Sequence, residues 1–186
     1  GGKAVIVTDV GQHQMVTSRY YRYQNPRTSI TSGGAGTMGF ALPAAIGAKV
    51  AAPNQQVVAV IGDGGYQMTI QELGTIMQDN IPVKILVLNN QFLGMVRQWQ
   101  QLFHGKRYSF TELDNPDFVK IAEAYRIRAR KVTAQADLTA ALLEMLESPN
   151  SYFLEVVVEK EENVFPMVPA GAGVSEVILE IPNNKT

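Results

Sequence analysis

Four short apolar runs punctuate the chain, at residues 4–7, 57–61, 83–88 and 153–158, and helical periodicity fills much of the space between them. Each run is continuous and rich in β-branched residues, the pattern of a strand covered on both faces. An antiparallel sheet wetted on one side would alternate apolar and polar positions instead. The expectation is an α/β domain of three layers, α/β/α, around a central, mostly parallel sheet.

Helix signals fall between the runs. Thr69-Ile70-Gln71-Glu72 has the spacing of a capping box, and Ile70, Leu73, Ile76 and Met77 form one apolar stripe, so a helix is predicted to start shortly after Gly65. Asn115-Pro116 predicts another, with Pro116 in its first turn and Phe118, Ile121, Ala122 and Tyr125 on its core side. Leu138, Leu142 and Met145 mark a further helix. After Val158 the periodicity dissolves into charged residues and then Asn163-Val164-Phe165-Pro166-Met167-Val168-Pro169. Residues 1–162 therefore read as one domain and 163–186 as an arm of it. No internal repeat suggests a solenoid.

Composition narrows the chemistry. With 186 residues, 46% of them hydrophobic, the chain can enclose one sizeable core, which makes a single domain the default. A formal charge of -1 offers no basic field for a polyanion, so nucleic acid is not an expected partner and any phosphate must be held locally. The absence of cysteine removes disulfides and thiolate metal sites, leaves oxygen or histidine as metal ligands, and suits a reducing, cytoplasmic setting. No apolar run approaches membrane-spanning length, so no membrane association is expected. The first residues pass straight into a strand-like run without a signal or transit segment, from which a piece of a longer protein is expected.

Candidate chemistry gathers at two strand ends. The run at 57–61 ends in Gly62-Asp63-Gly64-Gly65 and the run at 83–88 ends in Asn89-Asn90, both at the carboxyl edge of a parallel sheet, where ligands bind. Asp63 supplies a carboxylate and Asn90 a neutral amide oxygen, while Gly64 and Gly65 let backbone N–H groups approach an anion. This set suits a hard cation bridging phosphates, Mg²⁺ being the natural choice. Too few acidic residues gather for an all-protein cage, so phosphate oxygens and water would complete the shell. A plainer reading stays open, in which the glycines satisfy a strand–turn–helix and Asp63 caps a helix.

Two further readings compete. Gly34-Ala35-Gly36-Thr37-Met38-Gly39 matches the dinucleotide fingerprint, with Asp63 at about the distance of a ribose-binding carboxylate, which would make the chain a nicotinamide-binding oxidoreductase domain. Against it, Arg27-Thr28-Ser29-Ile30-Thr31-Ser32 is too polar for the buried first strand of such a unit, and Asn89-Asn90 is left without a task. The third reading is a non-catalytic subunit-interface module.

Gly62-Asp63-Gly64, then twenty-four residues, then Asn89-Asn90, resembles the motif by which thiamine-diphosphate enzymes bind their cofactor. The resemblance implies that the side chains of Asp63 and Asn90 and the backbone carbonyl of Phe92 hold Mg²⁺, although Phe92 stands where the family commonly has a polar residue. Residues 33–48 are similar to the stretch that cradles the aminopyrimidine in acetohydroxyacid (acetolactate) synthases. There Gly36 would offer its carbonyl to the 4′-amino group and Met38 would wedge between the two rings; a methionine in this setting otherwise simply packs. Gly11-Gln12-His13-Gln14 resembles the family's phosphate-donor run, which implies that role for Gln12 and His13. A lone histidine is otherwise more often a helix-entry or surface residue.

Leu93-Gly94-Met95-Val96 followed by Gln98-Trp99-Gln100 is similar to acetohydroxyacid synthases in particular. The resemblance adds Leu93, Gly94 and Met95 to the cofactor contacts and gives the substrate pocket Met95, Val96 and Trp99, the tryptophan favouring 2-ketobutyrate over pyruvate as second substrate. Met95 and Trp99, four apart, share a helical face, and with Phe103 they also form an ordinary apolar stripe.

Taken whole, the resemblance implies the C-terminal cofactor-binding domain of a large subunit that condenses two 2-ketoacids with loss of CO₂ in branched-chain amino acid biosynthesis. FAD would sit on a middle domain, and the catalytic glutamate on an N-terminal domain, normally of a partner subunit. No residue here matches that glutamate, so no catalytic residue is assigned and the chain by itself is expected to make no acetolactate. The implied partners are those two domains, a second copy in a homodimer, a regulatory small subunit and the 2-ketoacids, and the tail is expected to fold over the active site.

Overall fold

The computed structural model describes residues 2–180, so the arm is described to Glu180 and residues 181–186 lie outside. The four apolar runs form β1 (Val5–Thr8), β3 (Val57–Gly62), β4 (Lys84–Asn89) and β6 (Tyr152–Val157). Two more strands join them, β2 (Ser29–Thr31) and β5 (Arg128–Val132). The sheet order is β2-β1-β3-β4-β6-β5, and every pairing is parallel.

Seven helices flank this sheet: α1 (Gln12–Tyr20), α2 (Ala41–Ala51), α3 (Asp63–Met68), α4 (Leu73–Asp79), α5 (Gly94–Phe103), α6 (Phe118–Ala124) and α7 (Gln135–Glu147). Alternate residues of the central strands feed opposite layers. Val5, Val7, Val57, Ala59, Ile61, Ile85 and Val87 pack with Leu42, Ile76 and Phe118 from α2, α4 and α6. On the other face Leu154 and Val156 pack under Ala141 and Met145 of α7, and Ile6, Val58 and Val60 form their own cluster. Burial on both faces is why these strands carry no polar alternation. No described helix is long and apolar enough to cross a membrane.

Both strands absent from the sequence reading are edge strands. β2, drawn from the polar stretch judged unfit for a buried strand, is largely exposed beside β1, and β5 carries Arg128, Arg130 and Lys131 beside β6. Having one neighbour and a solvent side, an edge strand needs no continuous apolar run.

Two helix starts differ from expectation. The helix predicted after Gly65 begins at Asp63, breaks at Thr69 (φ -134°), passes through a 3₁₀ turn at Ile70–Glu72 and resumes as α4. Thr69 makes no cap bond to the turn; its hydroxyl is directed to the Gly39 carbonyl, to which it donates at 3.0 Å. Pro116 lies before α6, not in its first turn. Asp117 is the cap, its carboxylate accepting the Lys120 N–H at 3.1 Å, which supplies the acceptor a first turn needs and leaves Asn115 free.

Beyond β6 the described part of the arm has one 3₁₀ turn, Val174–Glu176, and one bridge, Met167 to Ile178. Val164 and Met167 are buried, so the arm is docked on the domain.

Candidate functional site

The carboxyl ends of β1, β3 and β4 open into a cavity of about 460 Å³. Helices α1, α3 and α5 start at its wall, so their first-turn N–H groups lie around one space. Gln12 and His13 line it from the first loop, and Asp63, Gly64 and Gly65 from the second. Asn90, Phe92, Leu93, Gly94, Met95 and Val96 line it from the third, and Met38 reaches it from the glycine-rich turn.

Gly36 and Trp99 are not in that wall. Gly36 sits on the exposed turn at φ +63°, its nearest neighbour in the cavity direction being Val10. Trp99 lines an adjoining pocket with Met95, Val96, Gln100, His104 and Arg107, and packs edge-on against Phe103 at 5.7 Å. Met95 and Trp99 thus share a pocket, as their spacing predicts, but it is the neighbouring one.

Three glycines are required by closeness. A Cβ on Gly64 would come within 2.7 Å of Leu93, one on Gly65 would collide with the Asp9 carboxylate, and one on Gly94 would meet Gln12 and, at 2.8 Å, Asn90. The loops are therefore interlocked through positions that carry no side chain.

Asp9, which the sequence reading passed over, organises the floor. Its buried carboxylate accepts the N–H groups of Val10 at 2.9 Å, Gly39 at 3.1 Å and Ala41 at 2.9 Å. The glycine-rich turn and the start of α2 are thereby pinned to β1. This disposes of the dinucleotide reading: the N–H groups that would receive a pyrophosphate there already hold a carboxylate, and the preceding strand is a three-residue edge.

Asp63 is buried, and burial pushes its carboxyl above the ordinary range; the Asn115 amide, which donates to Oδ2 at 2.7 Å, and backbone N–H groups oppose that push. His13 is lowered to about 4, chiefly by burial and against the pull of Asp9, so the ring is neutral at neutral pH. Its Nε2 is shut off from solvent and has no partner. A poorly compensated carboxylate and an unsatisfied imidazole nitrogen on one cavity fit a bound cation together with its anion. Among the described residues no three of His, Asp or Glu cluster to hold a metal ion, so a cation here would draw further ligands from its anion and from water.

The paired asparagines do different work. Asn90 faces the cavity, its Oδ1 accepting the Phe92 N–H at 3.1 Å. Asn89 turns inward: its amide donates to Glu155 at 2.7 Å, and its oxygen accepts from the Gln91 N–H at 3.0 Å and from Asn115 at 3.1 Å. Asn115 and Glu155 are thus further site residues that the sequence did not disclose.

The arm closes one side through Gln98, which is fully buried on α5. The Gln98 amide donates to the Val164 carbonyl at 3.1 Å and accepts the Val164 N–H at 2.9 Å, as a backbone unit would. Its oxygen also receives Gln12 at 2.9 Å, and Gln12 donates in addition to the Glu162 carbonyl at 2.9 Å. Both amide protons of Gln12 are engaged, so donating to a phosphate would require it to release one. Beside it Arg97, also buried, is held by Gln101 and Asn163 and flanked by the rings of Phe92 and Tyr108 at 5.9 and 6.0 Å.

The model of the family described as "Thiamine pyrophosphate enzyme, C-terminal TPP binding domain" matches residues 9–156. The chain belongs to this family. That places it among thiamine pyrophosphate-binding domains. It is also 51% identical to the acetolactate synthase isozyme 2 large subunit of Escherichia coli (strain K12), over 178 residues covering 95% of this chain and 32% of that protein. It is 48% identical to acetolactate synthase 2, chloroplastic, of Nicotiana tabacum, over 96% of this chain and 28% of the relative. The mitochondrial acetolactate synthase catalytic subunit of Aspergillus candidus is likewise 48% identical, over 98% of this chain and 26% of its own length. The chain thus spans about a third or less of these relatives.

Proposed function

We propose that this chain is the cofactor-anchoring domain of an acetolactate synthase catalytic subunit. The whole enzyme would join two 2-ketoacids, pyruvate with pyruvate or 2-ketobutyrate, with loss of CO₂, in the cytoplasmic synthesis of branched-chain amino acids. Support comes from the identity to acetolactate synthases across nearly the whole chain. The observation that carries the reading is the meeting of Asp63, Asn90 and His13, from three neighbouring parallel strands, on one cavity.

On this reading Asp63, Asn90 and the Phe92 carbonyl hold Mg²⁺. His13, Gln12 and the N–H groups of Gly64 and Gly65 receive the diphosphate. Gly36, Met38, Leu93, Gly94 and Met95 bound the rings, and Met95, Val96 and Trp99 select the second ketoacid. The cofactor supplies the electron sink for loss of CO₂; the residues named here bind it, orient it and keep water from it. FAD belongs to a middle domain of the subunit and the glutamate that works on the aminopyrimidine to an N-terminal domain, normally of a partner subunit, and a homodimer with a regulatory small subunit is the proposed assembly.

Calorimetry on the full-length enzyme tests the reading. Thiamine diphosphate is expected to bind only with Mg²⁺, NADH not at all, and Asp63→Ala to weaken binding by about 10-fold or more, since even outer-shell changes at metal sites reach that size. Binding indifferent to Mg²⁺ or to Asp63→Ala would sink it.

A further inference from the structure

We propose that Glu155 is a positioning residue for the Asp63 site, acting through Asn89 and Asn115, and that Lys131 at the surface sets how firmly it acts. The inference rests on the reading of Asp63 as an ion ligand.

Glu155 stands in the middle of β6, between β4 and β5, with its side chain 1% exposed. Its neighbours Tyr152, Phe153, Leu154 and Val156 are all buried, so an apolar residue is what this strand interior otherwise carries. A carboxylate in such a position is costly unless it is paired. Register brings Lys131 of β5 directly opposite, and its ammonium meets Oε1 of Glu155 at 2.9 Å while remaining about half exposed. Oε2 has no hydrogen-bond partner, so the bonding of Glu155 runs through Oε1 alone.

The other partner of Oε1 is the Asn89 amide, at 2.7 Å. This contact fixes which way Asn89 is turned: its N–H side is committed to Glu155, so its oxygen must face the Gln91 N–H and Asn115. Asn115 is fixed in turn, because its oxygen accepts from Gln67 at 2.8 Å. Its amide nitrogen therefore faces both Asn89, at 3.1 Å, and Oδ2 of Asp63, at 2.7 Å. An unbroken series of contacts thus runs from a surface ammonium to the buried carboxylate on the cavity, with charged groups at both ends. Without the Glu155 charge Asn89 is held from its oxygen side alone, by the Gln91 N–H and Asn115, and a flipped Asn89 sets N–H against N–H at Asn115. Asp63 then loses its only side-chain partner among the described residues.

The test is a Mg²⁺ titration of the full-length enzyme at saturating thiamine diphosphate, followed by calorimetry. Glu155→Gln keeps the volume and can keep an oxygen on both Lys131 and Asn89, but it removes the charge that orders Asn89 and leaves an N–H buried at the partnerless Oε2 position. The Mg²⁺ midpoint is expected to rise by about 10-fold or more, as for outer-shell partners of metal ligands. Affinity for thiamine diphosphate once Mg²⁺ is saturating should be unchanged, a separation that general loosening of the fold would not produce. Lys131→Met, at a half-exposed position, should move the midpoint the same way by less, and Lys131→Arg should restore it. If Glu155→Gln fails to fold, Lys131→Met decides alone. Should the folded variants keep the native midpoint while Asp63→Ala shifts it, Glu155 has no positioning role and the ligand reading survives. Should Asp63→Ala also leave it unmoved, the ligand reading falls and this inference with it.

Discussion

His13 is a neutral imidazole in a place where a charged one would be resisted. The unfolded chain takes up a proton at this residue near pH 6.5, whereas the folded protein does so only near 4. The folded form therefore binds fewer protons in that window, so stability is complete above it and is lost as pH falls through it, at most by about 1.4 kcal/mol per pH unit. Urea midpoints measured at about pH 7.5 and about pH 5 should show this decline, and His13→Gln should flatten it; equal slopes would mean another group carries the acid sensitivity. Legibility in the sequence divides sharply among such residues. Asp63 and Asn90 stand out because each directly follows an apolar run, at the end of a strand. Asp9 follows such a run too, yet nothing near it in sequence reveals the three N–H groups it gathers from residues 10, 39 and 41. Asn115 looked like part of a helix start, because only the folded chain brings it against Asp63.

Helix α5 is inverted relative to an ordinary amphipathic helix. Arg97 and Gln98 are completely buried, while Val96, Trp99 and Phe103 are 47%, 42% and 43% exposed. The periodicity is readable; which side faces inward is not, because the arm supplies polar partners that arrive from more than sixty residues away. Removing the Gln98 amide leaves the Val164 N–H and carbonyl without partners in a buried setting, at a cost of about 1–3 kcal/mol per group. Gln98→Ala should accordingly loosen the arm, raising the rate of trypsin cleavage after Lys160 without greatly altering the sheet. Cleavage at the native rate would mean that the other contacts, from Arg97 to Asn163, Gln12 to the Glu162 carbonyl and Arg19 to the Phe165 carbonyl, hold the arm without it. The failed capping box at Thr69 has the same origin, since its hydroxyl is directed to Gly39, thirty residues earlier.

Across the whole molecule, the central strands could be read because the layers cover both their faces, and the edge strands could not because they are covered only in part and carry polar residues. The position of the cavity followed from parallel pairing alone, whereas its closure by the arm was expected only from the family resemblance and not from any pattern in the chain. The outward face of α5, with Val96, Trp99 and Phe103 exposed, is apolar enough to favour the proposed homodimer. Sedimentation of this chain should show concentration-dependent association that the double change Trp99→Glu and Phe103→Glu abolishes; unaltered association would assign the contact to another face. Gly94 gives the arrangement a different kind of significance. A side chain at Gly94 would run into Gln12 and Asn90, so the start of α5 has no room for exchanges there and altered selectivity has to come from farther along the helix, at Trp99. An engineer could randomise Trp99, which lies outside the cofactor cavity, and leave the grip on the cofactor intact.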